Sequence, residues 1–586
     1  MTQLRMRRCG ICGGDARLRW RGAPSWARSE AFAPSSHAVG AHGDLYLCRS
    51  CGTVQHGELP AREELRALYA GVEDPRYLQE EEGRRRTARR LLELAGRYAA
   101  PGRLLDVGCG HGLLMDEARR LGWQPLGLEP SADARAYVRE RLGLDVLADG
   151  FDEAELEEGA FGAIFMVDVI EHMLDPAGAI RRAARLLRPG GVLCVVTPDP
   201  ASPTARAFGR RWWGLLPTHT FLLPRMTLRE LLAASDLLPC EDRPLRRDFS
   251  PGYWLDGLTG RGGAAAGLAR IAAALLRRRR MIAASLLDER VVVMKRVEGV
   301  TPARPRCGDR GLSRRVVVVL PAYKAERTLP AVAAELPVEA ADRALVVDDA
   351  SPDGTTEEAL RQGFEVLTLP ANRGYGGTQK SGYVRALRAG ADIVVMVHAD
   401  NQYDPALVPD IVRPLLEGRA DMTIGSRLLE DEAIIGGMPR WKWLGNKLLT
   451  GIENRAFGRE FSEYHTGYRA FSADLLRSIA FLRNSDGFVF DQQIFAQVIH
   501  AGARVEEVAI PTRYFLEASS VGFVDSVVYG LGTLTTLARY RLHRLGARWT
   551  LIEPPAARLE AGAAPPPDEP VVAGAGRRGS PPPPGP

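Results

Sequence analysis

Long apolar runs, a secretory leader and a strong charge excess are all missing from this 586-residue sequence. No uninterrupted stretch reaches the roughly 18 apolar residues that a membrane-crossing helix requires. The N-terminal sequence MTQLRMRRCGIC is basic but has no apolar core behind it, which argues against a signal peptide. A net charge of only +5 gives no reason to expect a nucleic-acid partner. We therefore expect a cytoplasmic chain.

Cysteine is scarce, with eight residues in the whole chain, and four of these form two close pairs. The pairs CGIC and CRSC place Cys9, Cys12, Cys48 and Cys51 at the spacing of two zinc knuckles. Four thiolates suit a tetrahedral, structural Zn²⁺, so residues 1–60 are predicted to form a zinc ribbon. Redox-active or simply free cysteine pairs are the alternative, and zinc ribbons also occur in nucleic-acid binders.

The chain is too long for one hydrophobic core, and its composition changes most clearly near residue 300. Two valine-rich runs, at 291–294 and 316–320, flank a polar segment of Arg, Gly and Pro. Short apolar runs bounded by charges are typical of buried strands. We interpret the first run as the last strand of one α/β domain and the second as the first strand of another. Residues 61–98 are predicted to be a helical connector and residues 299–313 a linker.

A glycine-rich turn follows the first clear buried strand, in the sequence LLDVGCGHG that starts at residue 104. Gly108, Gly110 and Gly112 permit a tight turn and a close approach of the backbone to a ligand. After a second apolar run, Glu129 sits where a carboxylate can accept from both hydroxyls of a ribose. The strand, the turn and the acid, in this order, indicate a nucleotide-type ligand.

Two further segments, AIFMVDVIEHMLDP from residue 163 and LLRPGGVL from residue 186, complete a family pattern. Together with the glycine turn they resemble the class I S-adenosylmethionine-dependent methyltransferases. The resemblance implies a Rossmann-like α/β domain at 99–298 with seven strands, the last one (291–294) antiparallel. It also implies that S-adenosyl-L-methionine is held at its methionine end by Asp106 and the glycines, at its ribose by Glu129 and at its adenine by Asp149. A nicotinamide dinucleotide is the alternative ligand, but the GxGxG spacing favours the methyltransferase.

The acceptor of the methyl group depends on residues just past the fourth strand. Asp168, Glu171 and His172 lie at the carboxyl end, where ligands of open α/β sheets bind. His172 is either the base that deprotonates a hydroxyl or, with Asp168, a residue that orients the loop over the cofactor. His219 is a second candidate base.

The sequence also indicates which class of acceptor to expect. No Asn/Asp-Pro-Pro-aromatic motif follows the fourth strand, and this argues against methylation of nucleobases. A zinc ribbon ahead of such a domain resembles methyltransferases that act on nucleotide-linked deoxysugars, although their extra C-terminal domain is missing. A sugar or glycan hydroxyl is therefore the expected acceptor.

Acidic residues also follow the strands of the second half. Asp348 and Asp349 end one apolar run, where they can accept from a nucleobase N–H. The sequence His398-Ala-Asp400 ends another, where a carboxylate can hold Mg²⁺ or Mn²⁺ against a diphosphate. Neutralising the departing diphosphate is the main electrostatic requirement of sugar transfer from a nucleotide sugar.

This half resembles the family 2 glycosyltransferases of GT-A fold, in particular the group related to polyprenol-phosphate sugar synthases. The resemblance covers residues 314–548 and implies a nucleotide-sugar donor, a glycan or lipid-linked acceptor, and inversion at the anomeric carbon. Its donor motifs match Pro321, Tyr323, Asp348 and Asp349, and its metal motif matches Asp400 with Gln402 beyond it. His398 replaces the first acid of that metal motif and is a candidate ligand. Arg427 matches a phosphate-facing GSR element, and Glu463 matches the acid of the acceptor loop.

Three segments have the composition of membrane-surface helices. Residues 263–287 read as a basic amphipathic helix, which either lies on an anionic membrane surface or simply ends in dipole-compensating arginines. Residues 439–457 and 525–545 are apolar-rich and helical, but too short or too polar to span a bilayer. Residues 549–586 are rich in Pro, Ala and Gly and are predicted to be disordered.

These observations predict a bifunctional cytoplasmic transferase, peripheral at most to the inner face of the membrane, that works in cell-surface glycan assembly. Two alternatives remain from the sequence. One is an RNA-modifying methyltransferase with a degenerate sugar-transfer domain. The other is a membrane-surface scaffold with one inactive module.

Overall fold

The computed structural model describes residues 6–22, 42–74, 76–250, 281–297, 299–302, 304–307, 314–429, 440–511, 523–557 and 559. Within these residues the strands form three larger sheets and one two-stranded sheet. Helices of six residues or more span Arg62–Ala70, Glu81–Ala95, Leu113–Arg120, Ala132–Tyr137, Pro176–Leu186, Pro203–Phe208, Arg225–Ala233, Leu329–Glu335, Thr355–Arg361, Gly374–Arg388, Val408–Leu416, Arg440–Phe457, Ala473–Ser478, Phe490–His500 and Phe523–Arg544. None of the described helices combines the length and apolar character needed to cross a bilayer.

The N-terminal sheet is an antiparallel ribbon whose last strand comes from far along the chain. Its strands, in spatial order, are Met6–Arg8, Asp15–Trp20, Leu45–Cys48, Val54–His56 and Phe221–Leu222. The pairing of Phe221 with Gln55 ties the ribbon to the domain that follows it. The ribbon is therefore built into the first α/β half and is not a separate appendage.

The second sheet has seven strands in the order Leu237–Pro244, Glu289–Arg296, Leu187–Pro198, Phe161–Val167, Arg103–Val107, Gln124–Leu128 and Val146–Leu147. The strand Glu289–Arg296 runs antiparallel to both of its neighbours, while the other pairs are parallel. This confirms the sequence prediction of a seven-stranded sheet with an antiparallel last strand. The carboxyl ends of the central strands meet at one edge and bring Asp106, Glu129 and Asp168 together.

A two-stranded antiparallel sheet, formed by Arg247–Phe249 and Ile282–Ala284, packs beside this edge. It is fixed to the helix Glu81–Ala95, where the backbone N–H of Asp248 donates to Thr87 Oγ1 at 3.1 Å. The sequence predicted one helix over 263–287. Residues 263–280 lie outside the described part of the chain, and the prediction is wrong for Ile282–Ala284, which forms a strand.

The third sheet has eight strands of mixed direction. Their order is Gly299–Val300, Glu365–Thr368, Arg343–Asp348, Val316–Ala322, Ile393–Met396, Arg469–Ser472, Met422–Ser426 and Val505–Ala509. Four of these strands are parallel to one another, so their carboxyl ends share one edge of the sheet. They are Val316–Ala322, Arg343–Asp348, Glu365–Thr368 and Ile393–Met396. The predicted linker 299–313 contributes an edge strand here, because Gly299–Val300 pairs with Glu365–Thr368.

The two α/β halves are joined through a buried ion pair. Arg483 Nε lies 2.9 Å from Glu230 Oε2, and both side chains are almost fully buried. The remaining Arg483 donors reach the carbonyl oxygens of Thr550 at 2.6 Å and Pro554 at 3.0 Å, while the N–H of Ala556 donates to Glu230 at 2.6 Å. The predicted disordered tail 549–586 is therefore ordered over 549–557, because this segment satisfies the buried pair.

Replacing Arg483 with methionine is expected to lower the free energy of unfolding by about 3–5 kcal/mol, since it leaves the Glu230 carboxylate buried without its cation. Chemical denaturation monitored by fluorescence measures this change. The matched control is Arg413→Met, which removes an exposed ion pair with Asp410 and is expected to cost about 0–1 kcal/mol. Equal effects of the two substitutions would show that the pair does not hold the halves together.

Candidate functional site

The four N-terminal cysteines converge as the sequence predicted. Their sulfur atoms all lie within 4.8 Å of one another, with Cys9 and Cys51 3.7 Å apart and Cys12 and Cys48 3.5 Å apart. Sulfur atoms around a tetrahedral zinc ion are separated by about 3.8 Å, given Zn–S bonds of about 2.3 Å. The N–H groups of Ile11 and Gly14 point at the sulfurs of Cys9 and Cys12, as in zinc knuckles. The cluster can hold a structural zinc ion.

A cavity of about 1350 Å³ opens at the carboxyl edge of the seven-stranded sheet. Its walls include nearly every residue that the sequence placed in the methyltransferase site: Asp106, Gly108, Gly110, Glu129, Asp149, Asp168 and His172. His219 lines the same cavity. A single pocket therefore contains both the predicted cofactor residues and the predicted base.

The glycine turn has the left-handed backbone that glycine alone adopts at little cost. The φ angles of Gly108, Gly110 and Gly112 are 66°, 52° and 69°. A Cβ atom at Gly108 would lie 2.9 Å from the side chain of Val169, so the turn has no room for alanine. Gly110 N–H donates to Glu129 Oε2 at 2.8 Å, and Ser131 N–H donates to Glu129 Oε1 at 2.8 Å.

Glu129 thus braces the turn besides facing the cavity. Burial raises the pKa of Glu129, and burial together with the Glu129 charge raises the pKa of Asp106 to about 8. Two carboxyl groups that are costly to ionise side by side favour a ligand that brings positive charge. Tyr77, which the sequence analysis missed, lies over the turn and stacks on His111 with ring centroids 4.7 Å apart.

Asp168 lies across the cavity and is already paired. Both of its carboxylate oxygens accept from Arg247 Nη2, at 2.6 and 2.7 Å, and Arg247 also contacts Glu289. Asp168 has a positive φ of 56° and therefore sits at a sharp turn after its strand. Sequence reasoning missed Arg247, since it lies 79 positions away in a short strand that no motif marks. The ion pair ties the turn that holds Asp168 to the strand Arg247–Phe249.

His172 and His219 sit side by side, with ring centroids 4.8 Å apart. His172 Nδ1 lies 2.9 Å from the carbonyl oxygen of Thr218 and 2.9 Å from the hydroxyl of Tyr69. Because a carbonyl only accepts, Nδ1 carries the proton and Nε2 keeps its lone pair. Burial lowers the pKa of His172 to about 4. That value makes His172 a weak general base at neutral pH.

In the second half, Asp348 and Asp349 lie at the end of the strand Arg343–Asp348, as predicted. Asp348 accepts from the N–H of Ser351 at 3.0 Å and from the hydroxyl of Thr356 at 2.6 Å. Asp349 accepts from the N–H groups of Arg373 at 2.6 Å and Gly374 at 2.8 Å. Both acids are buried. These hydrogen bonds fix the two carboxylates at the strand edge next to the parallel strand that carries Pro321, with Tyr323 exposed beyond it.

The predicted metal residues follow the neighbouring strand Ile393–Met396. His398 Nδ1 lies 3.9 Å from Asp400 Oδ1, which accepts from the N–H of Gln402 at 3.1 Å. The imidazole of His398 leaves no space for a side chain at position 467, where a Cβ atom would approach Nε2 to 2.1 Å. The His398 ring is thus fixed with Nδ1 on the side of Asp400, an arrangement that suits two ligands of one cation.

Arg427 and Glu463 were predicted to face a phosphate and an acceptor, but the structure pairs them with each other. Glu463 is fully buried and accepts from the N–H of Arg427 at 2.9 Å, from its guanidinium, and from Asn446 Nδ2 at 2.7 Å. Burial would raise the pKa of Glu463, but the Arg427 charge outweighs it and the pKa is lowered. The ion pair ties the end of the strand Met422–Ser426 to the loop that holds Glu463.

The two sheets, each with its own acidic edge, define an α/β enzyme of the group-transfer class. Comparison with known proteins gives the families. A model described as a methyltransferase domain matches residues 79–238, and one described as glycosyl transferase family 2 matches residues 317–480. The chain belongs to the family 2 glycosyltransferases and carries a fused S-adenosylmethionine-dependent methyltransferase domain, which makes it a bifunctional transferase.

Individual relatives each cover only part of the chain. An uncharacterized protein of Methanocaldococcus jannaschii is 31% identical over 39% of this chain and 92% of its own. The undecaprenyl-phosphate mannosyltransferase of Micrococcus luteus is 30% identical over 33% of this chain and 82% of its own. A ubiquinone biosynthesis O-methyltransferase of Xanthomonas campestris pv. campestris is 37% identical over 22% of this chain and 59% of its own.

The substitution Glu463→Gln separates a structural role of Glu463 from a catalytic one. We expect it to lower the free energy of unfolding by about 3 kcal/mol, because it leaves the partly buried Arg427 cation without its anion. Thermal and chemical denaturation measure the change, with the exposed Glu460→Gln as matched control. A variant as stable as the parent that has lost all sugar transfer would instead assign Glu463 to catalysis.

Proposed function

We propose that the first half methylates a hydroxyl of a sugar or glycan and that the second half transfers a sugar from a nucleotide sugar to a glycan or lipid-linked acceptor, both in cell-surface glycan assembly. The observation that carries this proposal is the pair of separate acidic sites, one at the carboxyl edge of each sheet. Nothing in either site requires the other donor. One chain therefore handles two activated donors.

The first cavity fits S-adenosyl-L-methionine. The glycine turn allows the close backbone approach, Glu129 offers carboxylate oxygens for ribose hydroxyls, and Asp149 lines the cavity where the adenine amine is expected. Asp106, with a pKa raised to about 8, is stabilised in its charged form by a cationic ligand such as a sulfonium with its ammonium group. The bound cofactor supplies an electrophilic methyl group. The protein orients it and shields it from water.

The second site fits a nucleotide sugar with a divalent cation. Asp348 and Asp349 are positioned to accept from a base or ribose, and His398 with Asp400 would hold Mg²⁺ or Mn²⁺. The cation would supply the positive charge that a leaving diphosphate requires. Replacing an acid by His398 lowers the negative charge of this site, which leaves Asp400 as its essential carboxylate.

The acceptor is proposed to lie at a membrane surface. Apolar side chains on the helices Arg440–Phe457 and Phe523–Arg544 are exposed to an unusual degree, with Leu448 at 65%, Leu531 at 61% and Leu545, just past the second helix, at 84%. The two helices pack together, and Phe457 meets Tyr540 with ring centroids 5.0 Å apart. Lys447, Arg541 and Arg544 accompany these apolar residues, a composition that matches an anionic bilayer surface.

Paired variants test the division of labour. Asp106→Ala is expected to weaken S-adenosylmethionine binding at least tenfold and leave sugar transfer unchanged, while Asp400→Ala is expected to abolish sugar transfer and leave cofactor binding unchanged. Calorimetry on the full-length protein measures binding, and release of nucleoside diphosphate measures transfer. The proposal would be refuted if the folded parent protein bound no nucleotide sugar. It would also be refuted if either folded variant lost both cofactor binding and sugar transfer.

Vesicle sedimentation tests the membrane surface. The double variant Leu448→Glu/Leu531→Glu is expected to bind vesicles containing phosphatidylglycerol at least tenfold more weakly than the parent, because each buried leucine contributes about 1.5–3 kcal/mol. Val338→Glu alters an apolar residue outside these helices that is 50% exposed, and it is expected to change nothing. Equal binding by all three proteins, or none by the parent, would exclude this surface.

A further inference from the structure

A buried carboxylate oxygen without a hydrogen-bond partner lies in the wall of the first cavity. Glu171 is 1% exposed and follows the central strand Phe161–Val167. Its Oε2 accepts from the hydroxyl of Thr197 at 2.9 Å, whereas its Oε1 has no partner among the described residues. A buried oxygen in this state carries a large desolvation cost, so such an atom indicates a missing ligand.

Two imidazoles lie around the same point. Ligand atoms of Glu171, His172 and His219 all lie within 4.8 Å of one another. His172 Nδ1 donates to the carbonyl of Thr218 at 2.9 Å, and His219 Nδ1 donates to the carbonyl of Gly214 at 2.7 Å. Both rings therefore keep the Nε2 lone pair for another partner. Backbone carbonyls fix the tautomer and orientation of metal-binding histidines in the same way.

We propose that Glu171, His172 and His219 bind a divalent cation of the zinc class, which holds the hydroxyl acceptor in the methyl-transfer cavity. Two imidazole nitrogens and one carboxylate oxygen form a ligand set of catalytic zinc sites, with positions left open for a substrate. The assignment of the acceptor rests on the proposed function of the cavity. The metal site itself rests only on the three side chains.

The surrounding charges favour a cation at this point. Arg247 is already engaged by Asp168 and Glu289, so it does not neutralise Glu171. A cation bound here would supply the partner that Glu171 Oε1 lacks among the described residues.

The site also explains how a hydroxyl reacts beside a histidine that is a weak base. A divalent cation lowers the pKa of an oxygen bound to it, so the O–H bond breaks and its proton passes to solvent. The oxygen forms the new O–C bond, the methyl–sulfur bond breaks, and its electron pair leaves with the thioether. Neutral alcohols or vicinal diols, rather than amines, are the substrate class.

Metal stoichiometry of the full-length chain tests the proposal. The Asp400→Ala background removes the cation site of the second half. After treatment with a chelator and titration with Zn²⁺, elemental analysis is expected to give two zinc ions per chain, one for the four cysteines and one for the new site. Glu171→Gln and His219→Ala are each expected to retain one ion, while His500→Ala, a histidine on a distant helix, retains two.

Co²⁺ substitution gives a second readout that does not depend on the variants. The cysteine site produces sulfur-to-cobalt charge transfer, and the second ion is expected to add absorption without it. One ion per chain in the Asp400→Ala background, or two ions per chain when Glu171→Gln or His219→Ala is added to it, would overturn the metal site. S-adenosylmethionine binding is measured on the same samples, so a failure of the proposed methyltransferase function appears separately from a failure to bind metal.

Discussion

Parallel strands that end together impose the central constraint on this molecule. In each large sheet the carboxyl ends of neighbouring parallel strands place acidic side chains at one edge. Carboxylates brought together in a buried edge repel one another unless hydrogen bonds or cations stabilise them. Backbone N–H groups and arginines around both sites provide much of this stabilisation.

The carboxylates of the two halves are stabilised by different means. Glu129 and Asp349 are stabilised by backbone N–H groups of turns at the same sheet edge, most of them in the turn after a neighbouring strand. Asp168 and Glu463 are stabilised by arginines. Asp106 and Glu171 have no such arginine partner among the described residues, so a positively charged ligand or ion would be stabilised most beside them. The proposed sulfonium cofactor in one half and the proposed metal-bound diphosphate in the other would each supply positive charge where these carboxylates need it.

Local patterns allowed much of this to be predicted. The valine-rich strands, the glycine turn and Asp106 are near neighbours in sequence, so their geometry follows from strand and turn chemistry. Residues paired across long distances could not be found this way. Arg247 lies 79 positions from Asp168, and Arg483 lies 253 positions from Glu230, so only the folded chain reveals them. The polar segment near Gly299 and the proline-rich segment after Trp549 have weak local preferences, and tertiary pairing decides their structure.

The buried ion pair between Arg483 and Glu230 joins the two α/β halves, while their acidic edges remain separate. A crystal structure of the full-length chain with S-adenosylhomocysteine and a nucleoside diphosphate tests this account most directly. It predicts the thioether cofactor beside Asp106 and Glu129 and the nucleotide beside Asp348 and Asp400, both in the same molecule. Both ligands in one pocket, or a nucleotide bound away from the edge that carries Asp348, would contradict it.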